Sequence, residues 1–239
     1  MKAKSGFTLI ELSIVLVIIG LIIGGVLVGQ DLISAAAIRA QIAQIEKYNT
    51  AVNTFRGKYD YLPGDIPDPY ATQFGFVSRG QYQGMGDGNG VLEGVNLNGP
   101  NQHFWALQGG GENAVFWEDL TSANLIEGSF STASINSQPP TVVSGANLSL
   151  YFPAAKIGRE NYIYAWGGGM TAAIAYYGPP FQVTLGDGHN YFTISAVQSI
   201  DCSQQACTTN STGLTVSEAY NIISIRPLLP QHQLVAGIA

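Results

Sequence analysis

One carboxylate stands inside a segment otherwise suited only to hydrocarbon: Glu11, within Gly6-Phe7-Thr8-Leu9-Ile10-Glu11-Leu12. No other residue between Phe7 and Gly29 is charged. An ionised acid at bilayer depth costs roughly 2.5–3.5 kcal/mol on insertion scales, so a retained one calls for a dedicated cationic partner. A second constellation is Asp87, Asn89 and Glu93 in Gly86-Asp87-Gly88-Asn89-Gly90-Val91-Leu92-Glu93. These are hard oxygen ligands on a loop that glycine permits to turn tightly, which is the chemistry of calcium. The spacing departs from a helix-loop-helix calcium site, because Leu92 stands where that loop needs glycine and Asn98 where it needs a bidentate glutamate. The segment reads equally as an Asn-Gly hairpin turn or Ω-loop with acids facing solvent. Catalytic patterns are missing: His103, His189 and His232 are scattered, and no Gly-x-Ser-x-Gly elbow, His-Glu-x-x-His helix or phosphate loop occurs. No enzymatic activity is expected, and no cofactor apart from calcium at the Asp87 loop.

The element that must position Glu11 is a helix. From Phe7 to Gly29 it reaches roughly 34 Å at the helical rise, enough to span a bilayer. Lys2 and Lys4 precede it and hold the amino end in the cytoplasm. A secretory signal would place its small cleavage residue after the apolar core, whereas Gly6 comes before it. Beyond Asp31, Ile38, Ile42, Ile45 and Val52 recur at helical spacing between polar residues, which continues the helix with one apolar face. Gly57 follows Arg56 as a candidate left-handed cap, so the expected helix covers residues 7–56, about 75 Å long.

The junction Gly-Phe-Thr-Leu-Ile-Glu-Leu followed by an apolar run resembles the class III signal of type IV prepilins and type II secretion pseudopilins, over about the first 50 residues. The resemblance implies an inner-membrane prepilin peptidase that cuts after Gly6 and methylates the new amino terminus at Phe7. The glutamate that such subunits carry fifth after the cut falls on Glu11. Its partner would be the Phe7 ammonium of an adjacent subunit, aligning subunits as they leave the membrane. Leu62-Pro63-Gly64-Asp65 is similar to segments that follow the stalk helix in many pilin-like proteins.

The implied organisation is a leader at 1–6, a stalk helix at 7–56 with 7–29 as transmembrane and filament core, and a head at 57–239. The fold class is α+β and type IV pilin-like, with the long helix packed on an antiparallel sheet head that has long loops. Within the head, Ala114 to Leu125 and Thr215 to Ile223 read as helices, the latter opened by the capping box Thr215-x-x-Glu218. Leu148 to Phe152, Tyr162 to Trp166, Gln182 to Leu185 and Tyr191 to Val197 read as strands, with Tyr162, Tyr164 and Trp166 on one face.

A net charge of −6, moving to −8 when Lys2 and Lys4 leave with the leader, argues against phosphate-backbone partners, so no nucleic acid is expected. Cys202 and Cys207, with no ligand-bearing neighbours, read as a small-loop disulfide in an exported domain. The expected partners are further copies in a helical filament, the prepilin peptidase, the inner-membrane assembly platform and the membrane itself. The expected function is a structural subunit of a type IV pilus-like filament serving adhesion, motility or surface interaction. The precursor would cross the inner membrane once with its head in the periplasm, and the mature form would join an extracellular pilus or a periplasmic pseudopilus. Alternative readings are a type II secretion pseudopilin, a membrane-tethered sugar- or surface-binding module, and a tethered hydrolase, which would reveal itself by a clustered acid pair or a Ser/His/Asp site in the folded head.

Overall fold

The computed structural model describes residues 8–79, 86–92, 111–130, 143–167, 171–174, 181–184, 190–200, 208–211, 213–224 and 232–236. Gly6, Phe7, Glu93, Cys202 and Cys207 lie outside the described residues. A single helix, α1 (Leu9–Tyr59), runs for 51 residues and is continuous from the apolar run into the amphipathic one. Its two halves meet different surroundings. Every side chain from Leu9 to Val28 is exposed, and the most apolar window has a mean hydropathy of 2.9 with none of it buried against the rest of the chain. From Ile38 onward, Gln41, Ile45, Tyr48, Asn49, Val52, Phe55 and Tyr59 are buried at the three- and four-residue spacing of one helix face.

The helix passes through Gly57 and ends three residues beyond Arg56. Asp60 takes the left-handed cap at φ 64° and its N–H donates to the Arg56 carbonyl at 2.9 Å. The reason lies in packing. The Tyr59 ring lies 4.6 Å from that of Phe55 and 5.0 Å from those of Phe74 and Phe76, so burying this aromatic holds the last turn helical and outweighs the roughly 1 kcal/mol that glycine costs.

After the buried connector Leu62–Ile66 come the short α2 (Tyr70–Gln73) and then α3 (Gly111–Ser122), which is buried throughout from Gly111 to Leu120. The segment expected as a strand at 148–152 is instead a 3₁₀ turn at Gly145–Leu150. Gly145 enters it at φ 59°, and the N–H groups of Tyr151 and Phe152 both donate to the Leu148 carbonyl, a turn geometry that withdraws these donors from a ladder.

The main sheet is built around one long strand. Taking β1 as Val143–Ser144, β2 as Asn161–Gly167, β5 as Asn190–Ile200, β6 as Thr208–Ser211 and β7 as His232–Ala236, β5 pairs with all four others. β2 is antiparallel to it from Asn161↔Ala196 to Gly167↔Asn190, β1 and β6 are antiparallel, and β7 joins parallel with Asn190 opposite His232. β3 (Thr171–Ile174) and β4 (Phe181–Thr184) form a separate antiparallel pair. Helix α4 (Val216–Ser224) opens with the expected capping box, Thr215 Oγ1 and N–H both reaching Glu218 Oε2. In β2, Ile163, Tyr164 and Ala165 are all buried, so both faces of the strand are covered and the alternation is not one of inside against outside.

The head grips the outer half of α1 in two ways. Tyr48 meets Trp117 of α3 at 4.9 Å and Phe192 of β5 at 6.4 Å between ring centroids, which places the sheet and α3 together against the stalk. Two glutamines of α1 then act as a strand edge would. Gln44 Nε2 donates to the Ala154 carbonyl at 2.9 Å while its Oε1 accepts the Lys156 N–H at 3.0 Å, and Gln41 Oε1 accepts the Ile157 N–H at 3.1 Å. Side-chain amides thus satisfy backbone groups that would otherwise be stranded against a helix.

Candidate functional site

Among the described residues, two places gather chemistry. The first is the amino end of α1. Thr8 is extended, at φ −79° and ψ 153°, and caps the helix. Its N–H and its hydroxyl both donate to Glu11 Oε2 at 2.8 Å, and the Glu11 N–H donates to Thr8 Oγ1 at 3.3 Å. This reciprocal box satisfies two of the orphan donors at the helix start. It also fixes where the one acid of the apolar half points, toward the amino end rather than out along the helix. The Thr8-x-x-Glu11 spacing carries the same signal as Thr215-x-x-Glu218, so Thr8 was legible as a positioning residue alongside Glu11.

The second place is in the head, where the loop 86–92 folds over the connector and α3. Asp65, Asp87 and Glu112 bring carboxylate oxygens within 4.8 Å of one another, with Asp65 and Glu112 buried and Asp87 exposed. Glycine N–H groups hold the buried pair. Gly88 donates to Asp65 Oδ1 at 2.9 Å, Gly90 to Asp65 Oδ2 at 2.8 Å, and Gly86 to Glu112 Oε1 at 2.5 Å. Gly88 must be glycine on two counts: φ is +75°, and a Cβ there would stand 2.9 Å from Tyr61 Cε1. Burial and the nearby Asp87 push the Asp65 carboxyl up to about 7, against the pull of the Gly90 and Gly88 N–H groups.

Of the residues expected at this loop, Asp87 joins the cluster. Asn89 is engaged with the loop itself: its Nδ2 donates to Asp87 Oδ2 at 3.1 Å and its Oδ1 accepts the Val91 N–H at 2.7 Å. Asp65 and Glu112 are the additions that only folding reveals, since they lie far from Asp87 along the chain. Three carboxylates converging within 4.8 Å are hard oxygen donors of the kind that suit a divalent cation.

Beside this cluster a buried ion pair ties three segments together. Arg79 Nη2 meets Asp119 Oδ2 at 2.5 Å, Arg79 Nε donates to the Ile66 carbonyl at 3.1 Å, and the Gly64 N–H donates to the same Asp119 oxygen at 2.6 Å. Glu118 adjoins the pair, and burial together with Asp119 pushes its carboxyl up to about 7, opposed by Arg79. Connector, Arg79 segment and α3 are therefore fastened at one polar knot.

The apolar exposed helix, its capped amino end and the basic leader before it form one uninterrupted signal, and comparison with protein-family models finds it. Residues 1–27 match the prokaryotic N-terminal methylation motif. This motif is the class III signal of type IV prepilins and pseudopilins. The match ends within the apolar half of α1, and the head lies beyond it. No curated protein and no solved structure matches the chain. The methylation motif supports a pilin-like or pseudopilin-like reading and points to a structural protein, and with the apolar helix behind it fits a membrane-anchored, single-pass precursor. Such a signal implies processing by a prepilin peptidase.

Proposed function

We propose that the chain is the structural subunit of a type IV pilus-like filament, cut after Gly6, methylated at Phe7, and assembled through α1 with its head first in the periplasm and then on the fibre surface. The observation that carries this reading is the division of α1. One half is apolar and wholly exposed over the length of a membrane, and the other is fixed to a folded head. A long helix with an uncovered apolar half requires lipid before assembly and its own copies afterwards, because both remove the same surface from water. Glu11 supplies the register. An acid aimed at the amino end by Thr8 can receive the Phe7 ammonium of an adjacent subunit, and breaking such a pair in an apolar core leaves an uncompensated charge worth about 3–5 kcal/mol.

The tethered-hydrolase alternative meets an obstacle at the acid cluster, since Asp65 and Glu112 are only 1% and 0% exposed and Asp87 alone of the three is open to solvent. A type II secretion pseudopilin shares every step up to assembly and differs in the fibre made. The test is Glu11→Ala in cells, read by membrane fractionation and electron microscopy. Membrane insertion is expected to persist while filaments disappear, and wild-type filament yield from this variant would refute the assignment. Long surface fibres from wild-type cells favour the pilus, and fibres confined to the periplasm favour the pseudopilus.

A further inference from the structure

The polar knot on α3 is short of positive charge. Glu118, Asp119 and Arg79 are all buried, so two carboxylates share one guanidinium. The sharing is one-sided. Arg79 Nη2 meets Asp119 Oδ2 at 2.5 Å, and the same oxygen accepts the Gly64 N–H at 2.6 Å. Glu118 Oε2 and Arg79 Nη1 are each buried without a hydrogen-bond partner. One acceptor and one donor, on side chains of opposite charge that already act on each other, are therefore left over. An ionised carboxylate left bare in a protein interior is costly, and with Arg79 taken by Asp119 the remedy open to Glu118 is to keep its proton. Burial and Asp119 act in that direction and push its carboxyl up to about 7.

We propose that Glu118 gates the knot by its proton: while it is neutral, Arg79 belongs to Asp119 and the connector 62–66 is clamped to α3, and when it ionises the two adjacent acids compete for Arg79 and the clamp loosens. The loss is felt at Gly64 and Ile66. The Gly64 N–H shares the Asp119 oxygen with Arg79, and the Ile66 carbonyl accepts Arg79 Nε at 3.1 Å. The sign follows from the proton. Glu118 binds it more tightly in the folded head than at the ordinary 4.5, so the clamp is complete below that value and is lost as pH rises through about 7. Among the described residues, the charged groups acting on Glu118 are Asp119 on its own helix and Arg79 from the segment after α2. Asp68 holds the backbone N–H of Arg79 at 2.7 Å rather than its guanidinium, and Glu112 holds the Gly86 N–H. Asp65 of the connector is also raised to about 7, by burial and Asp87, but its oxygens accept from Gly88 and Gly90, so its charge bears on the loop 86–92.

The gate does not depend on assembly, so its test uses the full chain held singly in lipid nanodiscs. Amide hydrogen exchange is read by mass spectrometry from about pH 5 to about pH 8, as protection factors that remove the intrinsic pH dependence of exchange. The α4 peptide 216–224 is the reference for global opening. In the wild type the connector peptide 62–68, which contains the Gly64 N–H, is expected to lose about tenfold in protection across that range while α4 keeps its own. Glu118→Gln, which stays neutral, is expected to hold the acid-side protection throughout. Glu118→Met, equally uncharged, is measured alongside so that one folded variant is in hand if the amide does not fold. Connector protection that is flat with pH in the wild type overturns the proposal. So does an undiminished fall in a folded uncharged variant, which would move the titration to Asp65.

Discussion

The outer surface and the inner structure of this protein invert the usual distribution of polarity. The first half of α1 is apolar and wholly exposed, while α3 carries Glu112, Asn113, Glu118 and Asp119 and is buried from Gly111 to Leu120. The difference teaches what each helix is for. An apolar helix left bare by its own chain needs another apolar surface to remove it from water, and lipid or a second copy would serve. A polar helix enclosed on every side is a fastening element, because its carboxylates hold the glycine N–H groups of Gly64 and Gly86 and the guanidinium of Arg79 in place. The same inversion predicts that substitutions in the two helices report on different properties.

The largest effect on the folded head should come from Asp119→Ala, which leaves Arg79 buried without its anion and frees the Gly64 N–H. A loss of about 3–5 kcal/mol is expected, measured by urea unfolding of the full chain in nanodiscs followed through tryptophan fluorescence. A loss below about 1 kcal/mol would show that α3 is not the fastener. Next comes pH. Glu118 titrates near 7 in the folded head against an ordinary 4.5, so the folded state binds the extra proton between those values and stability falls as pH rises through that window. The groups facing it are Asp119 and Arg79. Glu118→Gln should flatten the decline between pH 4.5 and 7, and an unchanged slope would exclude this residue as its source. The smallest effect belongs to the apolar half. Leu21→Ala should alter head unfolding by less than about 0.5 kcal/mol, because its side chain is 74% exposed, and any larger change would mean that the two halves of α1 are not independent.

What the sequence made legible follows from locality. The apolar run, its lone acid and the capping boxes are written within a few residues, so the long helix and α4 could be read directly. The head was harder because its decisive contacts are distant along the chain. Asp65, Asp87 and Glu112 belong to three separate segments, and no spacing rule joins them. Leu148 to Phe152 has the composition of a strand, yet Gly145 and the Leu148 carbonyl turn it into a 3₁₀ segment. Gly57 looked like a stop signal, and Tyr59 overrode it by packing on Phe55, Phe74 and Phe76. Local grammar therefore predicted elements well where no tertiary contact competed, and poorly where one did.

The glutamine clasp has a mechanical meaning. The backbone of α1 is unbroken from Leu9 to Tyr59, while the head is hung from its side by the amides of Gln41 and Gln44 and the ring of Tyr48. A pull applied at the amino end travels the whole rod before it meets a loop, so tension runs along the helix and the head rides beside it as a passenger.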